Sequence, residues 1–290
     1  MTSNSDLEAI SVGHNNATAV IDYKNSQEIN VAFSGENSVS LLAEGDSWYD
    51  YPWKDILSEL EDRYNYDIES VSHRGDRIES MAYNRGQLAK LLGKLLKMIR
   101  LGRPPEAVLL SGGGNDIAGE QFSPILNNAN SSNPGINGDV LAGYISRIRL
   151  SYITIITAIT DLCISELGKK IPIVVHGYDY AVPDGRGYWG GWGPFPGPWL
   201  SPGFIEKGYS NPDQMQDIIN VIINTFNEML SSLVHIEGMD HTVHIDLRGT
   251  LDNSKISYKE WWDNELHPTQ AGFSTIADIF SHEILRIIGR

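Results

Sequence analysis

The chain has 290 residues, 41% of them hydrophobic, enough to bury a sizeable core in one large domain or two small ones. Its formal net charge of −15, with lysine and arginine never more than two in a row, argues against nucleic acid and anionic membranes as partners and favours a neutral or cationic ligand. The single cysteine, Cys163, rules out an internal disulfide and speaks against a thiolate metal site.

Residues 1–6 lack the basic and apolar regions of a signal peptide, and no apolar run approaches the roughly 20 residues that span a bilayer. The expectation is a cytoplasmic protein with no membrane span; leaderless export would leave no mark in the sequence. Residues 1–37 are polar and without a clear period, and read as an irregular N-terminal arm with a short strand at 30–33. The organised domain covers 38–290. It opens with a buried strand at 38–43 that ends in Gly45-Asp46-Ser47, followed by a helix at 53–64. A strand at 67–72 runs into His73-Arg74-Gly75, and the helical stretch 77–100 is broken near Gly86. An apolar strand at 107–111 ends in glycines 112–114, just before Asn115. A long amphipathic helix at 139–167, a strand at 171–176, a helix at 213–236 and a strand at 242–247 follow. The last helix starts at Pro268, a residue suited to a first helical turn, and runs to about 287.

Strands alternating with helices require crossover connections and predict a three-layer α/β/α sandwich around a mostly parallel five-stranded sheet. Ligands of such sheets gather outside the carboxyl ends of the strands. Ser47, Gly75 and Asn115 each fall just past a strand, and His267 lies in the loop before the last helix. Four separated positions thus converge on one edge. Chemically they are complementary: Ser47 is a hydroxyl nucleophile and His267 a general base. Gly75 has a backbone N–H unobstructed by a side chain, and Asn115 has a side-chain amide; both suit a developing oxyanion. Each has an ordinary alternative, as a capping serine, a positive-φ turn glycine, a turn amide and a residue fixing a helix start. The four together favour the catalytic reading.

The order Ser, Gly, Asn, His resembles that of the SGNH hydrolases, also called GDSL esterases/lipases, in the blocks Gly45-Asp46-Ser47, Gly75, Gly114-Asn115-Asp116 and His267-Pro268. The resemblance runs over about residues 41–277. It implies a flavodoxin-like fold and a serine esterase working through an acyl-enzyme. Ser47 would be its nucleophile and His267 its general base. The Ser47 and Gly75 N–H groups and the Asn115 amide would form the oxyanion hole, with no metal or organic cofactor. Implied substrates range over short acyl esters, O-acetylated sugars, thioesters and lysophospholipids. The chain departs from the family's closing Asp-x-x-His, since Asn264 stands three before His267 and Asp263 one further away. The partner of the second ring nitrogen is therefore open between Asn264, Asp263, Asp246 and a backbone carbonyl. With Asn264 or a carbonyl there, Asp263→Asn should retain most activity and Asn264→Asp should keep or raise it.

Residues 181–209 interrupt the rhythm as a Gly/Pro/Trp-rich loop insertion on the same edge, carrying Trp189, Trp192 and Trp199. Long structureless loops are uncommon in compact domains unless functional, so these tryptophans read as a substrate-binding wall. The competing reading is a rigid surface excursion. The match of residues 185–190 to G-x-G-x-x-G is rejected, because Pro194, Pro196 and Pro198 forbid the helix that a dinucleotide site needs. The G-x-S-x-G elbow of the α/β-hydrolases is absent. The expected partner is a small-molecule or acylated-sugar ester, with oligomeric state left open. The contrasting expectation is a non-catalytic carbohydrate- or protein-binding module on the same fold.

Overall fold

The computed structural model describes residues 2–24, 38–191 and 196–290. Its strands are β1 (Ser40–Glu44), β2 (Asp67–Ser70), β3 (Ala107–Leu110), β4 (Leu126–Asn127), β5 (Gly135–Ile136), β6 (Ile173–His176) and β7 (Thr242–Ile245). Five of them form one sheet in the order β2-β1-β3-β6-β7, with every pair parallel. The short β4 and β5 pair separately as an antiparallel ribbon. Every residue of β3 and β6 is buried, as continuous apolar runs covered on both faces should be, whereas edge strand β2 leaves Asp67 and Ser70 exposed.

The helices are α1 (Asn4–Lys24), α2 (Ile56–Tyr64), α3 (Ile78–Tyr83), α4 (Arg85–Arg100), α5 (Gly114–Ile117), α6 (Gly138–Leu167), α7 (Ser201–Glu206), α8 (Pro212–Ser231), α9 (Tyr258–Trp261) and α10 (Gln270–Ile288). Helices α2 and α10 pack together, while α6 packs against α1, α3, α4 and α8. By length and composition α6 would cross a membrane, but 67% of its most apolar window is buried inside the fold, the pattern of a core helix. Cys163 lies on its buried side, where burial pushes the thiol up to about 12.

The arm expected to be irregular is instead mostly helix α1. Its buried positions include the small residues Ala9, Gly13 and Ala17, each four apart, while the larger Ile10, Val20 and Ile21 are only partly buried beside them, so the period is weak. A Cβ on Gly13 would stand 2.6 Å from the Thr154 backbone oxygen, so glycine is what lets α1 lie directly on α6. Arg149 and Asp6 pair across the contact at 3.0 Å. The strand expected at 30–33 lies outside the described residues. Helix boundaries moved where caps intervene. Asp55 and Ser58 form a capping box that starts α2 at Ile56, and Asn84 both ends the α3 stretch and caps α4. Thr269 caps α10, so Pro268 is not its first residue but pairs with Trp262 in an isolated bridge beside His267.

Candidate active site

The turn after β1 is fixed by Asp46. Its buried carboxylate accepts the Trp48 N–H at 3.0 Å, the Ser111 hydroxyl at 2.9 Å and the Tyr178 hydroxyl at 2.5 Å. Burial pushes this carboxyl up and the three donors oppose it. Tyr178 also accepts the Gly114 N–H at 3.1 Å, so one aspartate–tyrosine pair joins the Ser47 turn to the Asn115 turn. From that turn the Trp48 indole donates to the Leu266 carbonyl at 3.0 Å, which ties it to the His267 loop.

Ser47 Oγ and His267 Nε2 lie 2.7 Å apart. On the other side of the ring, Asn264 Oδ1 lies 2.9 Å from Nδ1 and also accepts the Leu266 and His267 N–H groups at 3.1 and 3.0 Å. The Asn264 NH2 donates to the Tyr51 hydroxyl at 2.9 Å and to Asp263 Oδ2 at 3.1 Å, which fixes the amide with its oxygen toward the ring. An accepting oxygen at Nδ1 puts the ring proton there and leaves the Nε2 lone pair to face the serine hydroxyl. Tyr51 stacks on the imidazole at 4.4 Å and 19°, and Trp199 meets it edge-on at 5.4 Å. So enclosed, His267 is held down to about 3 by burial.

Of the residues open in the sequence, Asn264 is thus the one at the ring. Asp263 is exposed and stands behind it, accepting also from Tyr51 at 2.8 Å, while Asp246 is engaged with Arg248 at 2.6 Å. The geometry leads to a different expectation for one variant. A carboxylate in place of the Asn264 amide would stand about 3 Å from Asp263, and two carboxylates that close share a proton. Asn264→Asp is therefore expected to lower kcat by roughly tenfold, and the double variant Asp263→Asn/Asn264→Asp to recover it. A single variant at or above wild-type kcat would show that Asp263 does not reach that amide.

Gly75 sits in the turn closed by the Asp76 N–H on the His73 carbonyl at 3.1 Å, with φ +83°, a conformation L-residues other than glycine rarely adopt. The turn is docked by the Arg74 N–H on Asp50 at 3.0 Å. Asn115 donates one amide N–H to the Asp76 carbonyl at 3.0 Å, which leaves its second for a ligand. Its neighbour Asp116 points the other way, buried, accepting the Ile78 and Glu79 N–H groups and pushed up to about 6 by burial. The paired Asn-Asp thus divides into one residue facing the cleft and one holding α3.

Ser47, Gly75, Asn115 and His267 all line one groove of about 370 Å³, walled by Tyr51, Tyr188, Pro196 and Trp199. Of the three tryptophans expected as a wall, Trp199 lines this groove. Trp189 is 64% exposed and stacked on Tyr188, and lines an adjoining cleft with Trp53, beyond Tyr51 and Tyr188. Trp192 lies outside the described residues. The 181–209 insertion also holds helix α7, and it is stitched down by Glu265, whose buried carboxylate accepts N–H groups of Gly185, Trp199, Leu200 and Ser201 at 2.6–3.0 Å. Sequence reasoning missed Glu265, Tyr51 and Asp46. Only Asp46 carried a signal, its place next to Ser47.

His176 is buried and stacked on Trp48, a support beneath the site, and His244 bonds Asn227 at 3.0 Å.

No protein-family model and no curated protein matches the sequence. Among solved structures, the chain is similar to a candidate SGNH hydrolase from Slackia heliotrinireducens, with 10% identity over 85% of this chain and 98% of that one, TM-score 0.44. A member of the lipolytic G-D-S-L family from Veillonella parvula gives 10% identity over 84% and 96%, TM-score 0.44. An acetyl xylan esterase from Butyrivibrio proteoclasticus gives 14% identity over 91% of this chain and 66% of that one, TM-score 0.40.

Proposed function

We propose that the protein is a serine esterase that cleaves carboxylic esters through an acyl-enzyme. The observation that carries the reading is the 2.7 Å contact of Ser47 Oγ with a histidine whose far nitrogen is held by Asn264. As His267 Nε2 takes the hydroxyl proton, Ser47 Oγ bonds to the ester carbon and the carbonyl oxygen becomes an oxyanion. The Gly75 and Ser47 N–H groups and the second Asn115 N–H stabilise it. The carbon–alkoxy bond then breaks, and His267 returns the proton to the leaving alcohol. Water repeats the sequence: its proton goes to His267, its oxygen to the acyl carbon, and the proton returns to Ser47 Oγ as the acid leaves. The aromatic walls of the groove suit a ring on the alcohol side, a sugar among them. A fluorophosphonate probe should label Ser47, as read by peptide mass spectrometry. An unlabelled Ser47 in folded protein would leave a binding module as the reading.

A pH profile follows from the burial of His267. An ordinary histidine, at 6.5, is protonated and useless as a base in mildly acid solution; this one, at about 3, remains neutral there. The acid limb of kcat/KM is expected to lie below 6.5, with most activity kept at pH 5. An apparent value at or above 6.5 would mean that a carboxylate stabilises the imidazolium directly. Stability follows the same group in sign. Between 6.5 and 3 the unfolded chain binds the proton and the folded chain does not, so this contribution is complete above 6.5 and is lost as pH falls.

A further inference from the structure

A second space meets the groove at Ser47, Asn115 and His267 and runs inward instead of along the surface. It is a recess of about 70 Å³ between the carboxyl end of the sheet and α8, walled by Ile117, Phe122, Leu200, Ile219, Ile222 and Phe226. Each of these is at most 7% exposed, whereas Arg74, Gly75 and Pro196 in the groove are exposed. The acids and the phenol on its wall are already occupied. Asp46 and Tyr178 bond each other, and Asp179 accepts the Tyr180, Gly249 and Leu251 N–H groups at 2.6–2.7 Å. The Trp262 indole N–H is a lone donor with no partner among the described residues.

Resting on the esterase reading above, we infer that this recess binds the acyl chain, and that the substrate is an ester of a linear apolar acid of about six to eight carbons. The two halves of the ester are assigned by the order of events. The leaving alcohol and the incoming water use the same position beside His267 Nε2. Water reaches that position through the open groove and not through an apolar recess inside the core. The alcohol therefore occupies the groove, and the acyl group, which stays on Ser47 between the two steps, occupies the recess. Size sets the length: one water-sized group needs roughly 10–15 Å³ of such space, so the recess takes about five to seven groups the size of a methylene. Acetyl leaves it mostly empty, and a long fatty chain exceeds it.

The test is a series of p-nitrophenyl esters from acetyl to dodecanoyl, run on the wild-type chain and on Ile222→Trp, which fills the recess. Ala181→Leu narrows it from the loop after β6. Wild-type kcat/KM is expected to rise about fourfold per methylene to an optimum near hexanoyl, the scale of burying one such group, and to fall by dodecanoyl. Ile222→Trp and Ala181→Leu should each lower the hexanoyl-to-acetyl ratio by tenfold or more. A wild-type optimum at acetyl or at dodecanoyl overturns the assignment, as does an unchanged ratio in both variants. If neither variant folds, the wild-type profile decides alone. Labelling of Ser47 separates the two levels: a labelled serine with an acetyl optimum removes the acyl recess and keeps the esterase, while no label and no turnover remove both.

Discussion

Ser47→Ala is expected to lower kcat by roughly 10⁶, the scale for deleting the nucleophile of a triad whose members act as a unit. The fold should survive, because the Ser47 turn is held by Asp46 and Trp48 and not by the Ser47 side chain. Removing one hydroxyl from a half-buried position beside an open groove leaves no new enclosed cavity. The measurement is kcat on the best ester of the series, together with a thermal unfolding curve that should superpose on the wild type. Turnover within tenfold of wild type would identify a different nucleophile.

Asn115→Ala is expected to cost roughly 10²–10³ in kcat, the scale for one side-chain oxyanion donor, with KM little changed. The reason for the split is that the charge it meets exists only in the transition state. The same amide braces the Gly75 turn through the Asp76 carbonyl, so the variant also frees one wall of the proposed oxyanion hole. Both consequences fall on kcat. A loss confined to KM would place Asn115 in ground-state binding.

Where the sequence was informative, the reason is that the information was local. The runs Leu41-Leu42-Ala43 and Ala107-Val108-Leu109-Leu110 announce central strands, and a turn residue just past each announces a place on the sheet edge. The resemblance to a closing Asp-x-x-His made Asn264 one of four candidates for the His267 ring, and a side chain three residues back does reach that ring. Helix α1 was illegible because its most buried apolar positions are alanine and glycine, which give a weak hydrophobic period. Tyr51 was illegible because nothing near it in the chain hints that it will stack on a histidine from the far end. The surroundings of Asn264 were illegible for a related reason: spacing reveals the first neighbour of the ring and not the Asp263 carboxylate behind it.

Glu265 lies two residues before the base and collects N–H groups from both flanks of the aromatic loop. Wall and base are therefore one mechanical part. Swinging the loop outward would strand a buried carboxylate without its donors, at about 1–3 kcal/mol for each bond lost. The described flanks of the loop are thus braced in advance, so a substrate entering between them would spend little ordering entropy there. On the esterase reading proposed above, the pace of turnover is then expected to follow the making and breaking of the acyl bond and not a movement of the described loop flanks.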